Sequence, residues 1–324
     1  MQTIIDYGIA IVIALQGMGD WVIPIMIFFT QVSSEEFFFL VLPLIYWCVD
    51  SSLGIRIGFI LVASIFFGNL GKVAHAGPRP YWVSAQVRPL WGETSFGIPS
   101  GHTQNAASIW GICAAYVKRA WVTALFIFLI FMIGFSRLVL GAHFPHDVLA
   151  GWLLGGVLVW AFNRYWDAAA AWVVGKTFRQ QVGIAFIISV MIVLAGLMVT
   201  GWRSSFEMPQ DWMTNALRSG VEPAPLDRAV FFTVAGTFFG FSLGAAWIRS
   251  LGGYQAHGPV WKRLVRYLVG LIGVLLFWMV LGEIFPRGEG FMELSLRFLR
   301  YTLVGWWVSG GAPRAFKHFN LTTS

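Results

Sequence analysis

Charged residues are scarce in this sequence. Only 11% of its 324 residues are Asp, Glu, Lys or Arg, against roughly 25% in an ordinary soluble domain. The mean hydropathy is +0.71, and this combination excludes a soluble globular domain and indicates a polytopic membrane protein. The net charge is +7, but the basic residues stand singly or in pairs between apolar runs. They are typical of topology signals, so we expect membrane lipids, and no nucleic acid, as partners.

Cysteine is scarce as well. Cys48 and Cys113 are the two cysteines, and both lie in apolar surroundings. This excludes a disulfide framework and gives no sign of a thiolate metal site. The first residues, MQTIIDYG, lack the positive charge of a signal peptide and carry Asp6 instead. We therefore expect this segment to be retained in the protein.

Long apolar runs are abundant, and they predict an all-α polytopic membrane helical bundle with about ten spans. Residues 4–31 are interrupted by Gln16-Gly17-Met18-Gly19-Asp20, so they form either one broken span or an interfacial helix followed by a short span. A spanning helix needs about 20 residues, so the shorter runs must extend into their flanks or tilt. The other predicted spans are Phe37–Val49, Leu53–Ala74, Thr103–Val117, Trp121–Leu140, Val148–Tyr165, Val182–Thr200, Ala229–Ile248, Tyr267–Leu281 and Leu294–Val308.

The distribution of basic residues predicts the orientation in the membrane. Connections on one side carry twelve of the 22 Lys and Arg residues and few acids. The positive-inside rule makes that side cytoplasmic, and the opposite side periplasmic, extracellular or luminal. We expect a multi-pass protein of the cell membrane, either inner or plasma membrane. The twelve residues are Arg56, Lys118, Arg119, Arg164, Lys176, Arg179, Arg249, Lys262, Arg263, Arg266, Arg314 and Lys317.

The stretch GFSRLVLGAHFPHDVLAG, residues 134–151, places three polar residues in this apolar chain. Pro145 suits the first turn of a helix, which we expect to run to about Tyr165. His143 lies just before this helix and Asp147 one turn into it, so the carboxylate can reach back to the imidazole. A carboxylate on one ring nitrogen leaves the other nitrogen a free lone pair, which suits a nucleophile or a general base. Arg137 precedes them as a cation.

Two further segments carry polar residues at the same predicted membrane level. Lys72 and Arg79 lie at the outer end of one span, and with Arg137 they supply the three cations that a dianionic phosphate needs. Ser100 and Gly101 open the next predicted helix, where free N–H groups and the helix dipole favour an anion. His102 beside that anion is a candidate acid for protonating a leaving alkoxide.

Each of these residues also has an ordinary structural explanation. A Lys or Arg near the end of a span usually extends to the interface, and a single membrane histidine usually bonds a neighbouring helix. Six ionisable residues in three clusters nevertheless favour one functional site. His75 and His146 lie nearby without a distinct task. We expect Arg88 and Glu93, in the loop before Ser100, to form a solvated pair.

These residues closely resemble the motifs of the type-2 phosphatidic-acid phosphatase superfamily, the lipid phosphate phosphatases. Lys72 to Arg79-Pro80 fits its Lys-x6-Arg-Pro motif, Pro99-Ser100-Gly101-His102 fits Pro-Ser-Gly-His, and Ser136-Arg137-x5-His143-x3-Asp147 fits the third motif. All three match in residue, spacing and order. The resemblance covers Trp21–Tyr165 and implies a six-helix phosphatase core within residues 1–166. Residues 167–324 would then form about four additional transmembrane helices of unknown role.

The resemblance implies a role for each candidate residue. His143 would be the nucleophile that forms a phosphohistidine, with Asp147 orienting it, and His102 would be the acid that releases the alcohol. The phosphoryl group would be held by Lys72, Arg79, Arg137, Ser100 and Gly101. It implies no metal and no cofactor, which agrees with the residues: Asp147 is occupied with His143, and Mg²⁺ usually needs carboxylate ligands.

The sequence therefore predicts a membrane phosphatase that hydrolyses a lipid phosphate or lipid pyrophosphate of phosphatidate, isoprenoid or sphingoid type. Alternatives are a phosphotransferase with a lipid or sugar acceptor, a sugar-phosphate phosphatase, and a transporter of phosphorylated lipid. The loop Tyr81–Ile98 carries four aromatic residues, Tyr81, Trp82, Trp91 and Phe96. We expect them at the headgroup level, where they would hold the site against the lipid interface and let a lipid enter sideways. The sequence leaves the oligomeric state open.

Overall fold

The computed structural model describes residues 2–322, and among them it contains helices and connecting loops but no strand. This confirms the predicted all-α membrane fold. The helices are α1 (Gln2–Gln16), α2 (Ile23–Gln31), α3 (Glu35–Leu44), α4 (Ser51–His75), α5 (Pro80–Val83), α6 (Gly101–Val117), α7 (Ala120–Val139), α8 (Pro145–Val174), α9 (Phe178–Trp202), α10 (Gln210–Leu217), α11 (Ala229–Ser250), α12 (Val260–Leu275), α13 (Leu281–Ile284), α14 (Phe291–Trp306) and α15 (Ala312–His318).

Every predicted span coincides with helical structure, but the helices differ in length. Six helical segments are long and apolar enough to cross a membrane. A further pair, Thr3–Gln16 and Asp20–Gln31, passes this test together and bends by 89° at the break, so residues 4–31 do not form a straight span. The six segments are Ser51–Val83, Ala120–Val139, Pro145–Val174, Phe178–Trp202, Ala229–Ser250 and Val260–Ile284.

Helix α8 begins at Pro145 as predicted but ends at Val174 instead of near Tyr165. The four consecutive alanines 168–171 are strong helix formers, so the helix continues through them. It ends just before Gly175. The predicted domain boundary after residue 166 therefore falls inside a continuous helix. The division into 1–166 and 167–324 stays a prediction.

The contacts divide the chain into two compact units. Unit 1 comprises residues 1–37, 67–160 and 198–227, and unit 2 comprises residues 38–66, 161–197 and 228–324. All the candidate site residues belong to unit 1.

In unit 1, two glycines of α8 allow the helix to approach the start of α6 closely. A β-carbon at Gly151 would lie 2.7 Å from the carbonyl oxygen of Ser100, and one at Gly155 would lie 2.6 Å from the β-carbon of Ala107. Only a residue without a side chain fits at these two positions. The glycines therefore bring the helix that begins just after His143 against the Pro-Ser-Gly-His segment.

The aromatic residues of the loop after α4 pack in the interior of unit 1. Tyr81, Trp82 and Phe96 are fully buried and form one cluster with Val12 and Ala216. Partly buried residues from the segment around α10 cover this cluster, namely Phe206, Met208 and Trp212. These three aromatics therefore face the protein interior and do not contact lipid, because the chain between α9 and α11 supplies an apolar surface that shields them. Their position at the headgroup level stays a prediction.

In unit 2, a stripe of glycines joins α11 and α14. Gly236, Gly240 and Gly244 follow each other at four-residue spacing on one face of α11, and a β-carbon at any of them would collide with the backbone of α14 or of the residues just after it. This spacing is typical of closely packed membrane helices. The stripe holds α14 alongside a helix that is long and apolar enough to span the membrane.

Candidate active site

The start of α8 places His143 beside Asp147. Nδ1 of His143 lies 3.3 Å from Oδ2 of Asp147, and the same carboxylate oxygen accepts the backbone N–H of Phe144 at 2.9 Å. Both side chains are about 1% exposed. The carboxylate thus faces Nδ1, and this leaves Nε2 as the ring nitrogen with a lone pair for chemistry.

Arg79 reaches the other side of the imidazole. Its Nη1 lies 3.1 Å from Nε2 of His143 and donates to the carbonyl oxygen of Ala142 at 2.9 Å. Its remaining donors bind the loop carbonyls of Ser95 and Phe96 at 2.7 and 2.9 Å. The guanidinium is wholly buried, and this bonding fixes it next to Nε2.

The Pro-Ser-Gly-His segment forms the first turn of α6. Ser100 is the N-cap residue, and its backbone N–H donates to the carbonyl oxygen of Asp147 at 3.0 Å. Lys72 approaches the same turn: a β-carbon at Gly101 would lie 3.5 Å from its Nζ, which donates to Oγ of Ser95 at 2.8 Å. The helix terminus and the ammonium group together make this turn a favourable place for an anion.

Arg137, near the end of α7, is wholly buried as well. Its guanidinium lies 5.6 Å from the ring centre of Trp91, and its Nη1 lies 3.4 Å from Oγ1 of Thr30. Among residues 2–322, no hydrogen-bond acceptor lies within reach of its Nε. A buried guanidinium with an unused donor is suited to bind a phosphate oxygen.

Glu93 is the site residue that the sequence prediction missed. Its carboxylate lies 2.5 Å from Nη2 of Arg137, 3.6 Å from Nδ1 of His102 and 3.9 Å from Nη2 of Arg79. The expected solvated pair with Arg88 is therefore wrong. Arg88 instead pairs with Asp20 at 2.8 Å, because the loop folds Glu93 inward over the cluster of cations. No local pattern in the sequence marks Glu93, since its partner Arg137 follows 44 positions later.

The electrostatics of the site follow from this arrangement. Burial raises the pKa of the Glu93 carboxyl, but the charges of Arg79 and Arg137 outweigh this effect, so its pKa lies well below the ordinary value. Burial, followed by the charge of Arg79, lowers the pKa of His143 well below 6.5. Glu93 is therefore an anion at neutral pH, and the imidazole of His143 is neutral.

The remaining histidines differ in their relation to the site. The ring of His102 lies in the site between Glu93 and the indole of Trp91, 6.4 Å from the indole centre. His146 is partly exposed, with its Nε2 3.4 Å from Oδ1 of Asp147. His75 points back to its own helix, where its Nδ1 lies 2.9 Å from the carbonyl oxygen of Gly71.

The structure thus brings the predicted residues together around one point: Lys72, Arg79, Ser100, Gly101, His102, Arg137, His143 and Asp147. Over residues 2–322, no group of three or more His, Cys, Asp and Glu side chains is arranged to hold a metal ion. The arrangement offers a neutral imidazole, a second histidine and three cations, with one carboxylate already bound among them. Such a set can bind an anion and attack it with a ring nitrogen.

Two family models match this chain. The model of the PAP2 superfamily matches residues 53–171, and the model of the PAP2 superfamily phosphatase transmembrane extension matches residues 232–324. Between them they cover the candidate site and most of the C-terminal part. The predicted resemblance is confirmed by these matches.

Named relatives are phosphatases. The chain is 29% identical over 185 residues to human glucose-6-phosphatase 3, covering 49% of this chain and 53% of the human protein. It is 37% identical over 110 residues to phosphatidylglycerophosphatase B of Bacillus subtilis, covering 31% and 50% of the two chains. A crystal structure of a PAP2-type phosphatidylglycerolphosphate phosphatase from Bacillus subtilis aligns with a TM-score of 0.46 at 22% identity, over 52% of this chain and 88% of that one. The chain thus spans about half the length of these curated relatives.

Proposed function

Because this chain belongs to the PAP2 superfamily of membrane phosphatases, we propose that it hydrolyses a phosphoric ester or diphosphate through a phosphohistidine on His143. The observation that carries this proposal is the position of His143: a carboxylate faces Nδ1, and a buried guanidinium lies 3.1 Å from Nε2. Nε2 is the nitrogen that can attack, once the Arg79 N–H that faces it turns from the ring nitrogen to an oxygen of the phosphoryl group.

The proposed reaction has two steps. In the first, Nε2 of His143 attacks phosphorus, a P–N bond forms and the P–O ester bond breaks, while His102 protonates the departing alkoxide. In the second, His102 takes a proton from water, the water oxygen attacks phosphorus, the P–N bond breaks and inorganic phosphate leaves. Lys72, Arg79, Arg137 and the N–H groups of the Ser100–Gly101 turn stabilise the charge on the equatorial oxygens.

In this mechanism the Glu93 carboxylate must leave Arg137 when substrate binds. This carboxylate binds the same Arg137 that a phosphoryl group would use, so a dianionic substrate displaces it from that guanidinium. After displacement, Glu93 remains near His102. Burial, followed by the charge of Arg137, lowers the pKa of this imidazole to about 3. The Glu93 carboxylate opposes that lowering, and the negative charge of a bound phosphate opposes it further, toward the protonated form that the first step requires.

We propose a lipid phosphate or lipid pyrophosphate as the substrate, with the site open to the periplasm, exterior or lumen. The support is the membrane family and the placement of the site residues at the ends of apolar helices. Transfer of the phosphoryl group to a lipid or sugar hydroxyl, in place of water, is a variant of the same mechanism.

A sugar phosphate is the second candidate, and two observations favour it. The chain is similar to human glucose-6-phosphatase 3 over 49% of its length. The loop aromatics Tyr81, Trp82 and Phe96 are buried beneath the segment around α10, as expected of a site that closes over a soluble substrate instead of opening to the lipid.

The nucleophile is tested by trapping the phosphoenzyme. The purified chain is incubated with ³²P-labelled substrate, quenched, and tested for acid-labile, base-stable label. We expect the label in the wild type and in His102→Ala with a good leaving group, and none in His143→Ala. His102→Ala should also slow the release of poor leaving groups more than of good ones. Label that persists in His143→Ala would remove this residue from the nucleophile role.

A substrate panel separates the remaining possibilities. kcat/KM is compared for lipid phosphates of increasing chain length and for glucose 6-phosphate in matched detergent. Rising values with chain length support the lipid, because each buried CH₂ contributes about 0.8 kcal/mol; equal turnover of glucose 6-phosphate contradicts it. No phosphate release from any of them would favour a transporter.

We expect EDTA to leave activity intact and vanadate to compete with substrate. Activity that EDTA abolishes and Mg²⁺ restores would contradict the metal-free mechanism.

A further inference from the structure

Unit 2 contains two arginines that lie beside a candidate membrane-spanning helix. Arg297 and Arg300 are three positions apart on α14, so they share one face of the helix. Arg297 donates from Nε to Oγ1 of Thr233 at 2.7 Å. Thr233 is in the second turn of α11, a helix of 22 residues that is about 33 Å long. The guanidinium of Arg297 therefore lies about 6 Å inside the end of a spanning helix, near the edge of the hydrocarbon layer.

The acidic residues of this region are bound elsewhere. Glu283 pairs with Arg287 at 3.2 Å, and Glu289 pairs with Arg228 at 3.2 Å. Glu293 stands four positions before Arg297, the spacing of a helical ion pair, but its carboxylate folds back to Gly290. In the part of the chain from 2 to 322, neither Arg297 nor Arg300 forms an ion pair with a carboxylate.

The partners that the two guanidiniums do have are neutral. Nη2 of Arg300 lies 3.1 Å from the hydroxyl of Tyr301, and its guanidinium is 4.8 Å from the centre of that ring. The guanidinium of Arg297 is 5.9 Å from the same ring. Nε of Arg300 is buried and has no acceptor within residues 2–322. An aromatic ring orients a cation but does not neutralise it, so two positive charges remain in a medium of low polarity.

The surface around these arginines is apolar and exposed. Both side chains are half-buried, and apolar neighbours on α14 are exposed: Phe291 at 91%, Met292 at 60% and Leu299 at 44%. Side chains of a helix lean toward its N-terminus, here the end near Phe291, and long arginine side chains extend to the interface. We therefore expect the exposed parts of the two guanidinium groups to lie at the border between protein and bilayer, at the level where lipid headgroups begin.

We propose that Arg297, which Thr233 holds in place, and Arg300 bind the phosphate group of an anionic membrane phospholipid. A phosphate supplies the negative charge that no carboxylate of this region provides, and its oxygens can accept from the guanidinium donors. An anionic lipid is favoured over a zwitterionic one because its charge is not cancelled by an amine of its own headgroup. The site uses none of the residues proposed for phosphoryl transfer and does not depend on that proposal.

The test measures lipid binding to the full-length chain in detergent. Dissociation constants for phosphatidylglycerol and phosphatidylcholine of equal chain length are obtained from thermal-shift titrations of the wild type and of the double variant Arg297→Gln/Arg300→Gln. We expect phosphatidylglycerol to bind the double variant about 30-fold more weakly, with phosphatidylcholine unchanged. Arg287→Gln is the matched control, since its guanidinium is exposed and paired with Glu283; it should behave as the wild type.

The comparison between variants isolates this site, because lipid bound elsewhere contributes equally to all of them. Equal phosphatidylglycerol affinity in the wild type and the double variant would overturn the proposal. The same thermal-shift titration is repeated with inorganic phosphate. If phosphate raises the melting temperature of the wild type as much as phosphatidylglycerol does, and does not raise that of the double variant, free phosphate is the ligand and the lipid proposal is refuted. If the double variant does not fold, native mass spectrometry of single variants decides, with retained phosphatidylglycerol expected in Arg300→Lys and reduced in Arg300→Met.

Discussion

Among single residues, Glu93 has the greatest influence on how the site receives an anion. It places a carboxylate on Arg137 and near Arg79, two of the three cations proposed to bind phosphate. Without it, Arg137 would be a buried guanidinium with no counter-charge, which is costly. Glu93 thus stabilises the empty site and competes with the ligand that enters it.

Replacing Glu93 with Gln should therefore tighten the binding of anions. Removing one competing charge should lower the Ki of vanadate about tenfold, equivalent to about 1.4 kcal/mol, and should lower kcat because His102 loses its neighbouring carboxylate. Inhibition constants and kcat measured side by side test both effects. Glu222→Gln, an exposed position in the same unit, serves as the control. An unchanged or higher Ki in Glu93→Gln would contradict competition at Arg137.

The pKa of His143 predicts the acid limit of activity. The nucleophile must be neutral, and falling pH removes its lone pair by protonation. Because burial and Arg79 hold its pKa well below 6.5, we expect kcat/KM, which reports on the free enzyme, to persist below that pH. The substrate phosphate also titrates in this range, so the pH profile is measured with two substrates whose second phosphate pKa values differ. A pKa that shifts with the substrate belongs to the substrate, and one that does not shift belongs to the enzyme. If kcat/KM for both substrates falls with the same apparent pKa of 6.5 or above, His143 is not the neutral imidazole that we infer.

At the scale of elements, α8 links the nucleophile to the anion-binding turn. The residues at its start carry His143 and Asp147, and the backbone N–H of Ser100 binds the carbonyl oxygen of Asp147 at 3.0 Å. Gly151, one turn further, permits this contact because a side chain there would press on the carbonyl oxygen of Ser100. The geometry of the site therefore depends on helix packing as well as on its polar residues.

Substituting Gly151 with Ala tests this dependence. The added methyl group should push α8 away from Ser100, lower kcat and destabilise the chain by about 1–3 kcal/mol, a usual cost of overpacking. Gly156→Ala on the same helix is the matched control, because no atom lies within 4 Å of a β-carbon there, and it should be neutral or slightly stabilising. Thermal midpoints and kcat of the two variants provide the measurement; equal behaviour would show that the close approach is unimportant.

At the scale of the whole molecule, the sidedness of the membrane protein can be tested directly. The distribution of Lys and Arg predicts Lys118 on the cytoplasmic side and Ser204 on the opposite side. Both positions are exposed, whereas Ser100 is buried and unsuitable for labelling. Single cysteines at 118 and 204, in a chain without Cys48 and Cys113, should react from inside and from outside, respectively. Labelling of position 118 from outside intact cells would reverse the predicted topology.

The sequence by itself determined the membrane class, the helical fold and the family. These follow from local properties: apolar runs must become helices in a bilayer because every backbone group needs a partner within the segment, and the three motifs are short patterns that need no contact map. The helix start at Pro145 was predictable for the same reason, since the missing N–H of proline acts at its own position.

The tertiary structure decided what depends on residues far apart in the chain. The inward position of Glu93 requires Arg137, which is 44 positions away, and the burial of Tyr81, Trp82 and Phe96 requires the segment around α10. The unpaired charge of Arg297 could not be foreseen either, because Glu293 stands at the spacing of an ion pair and turns away from it. Charge pairing and burial are set by neighbours in space, and only the folded chain brings those neighbours together.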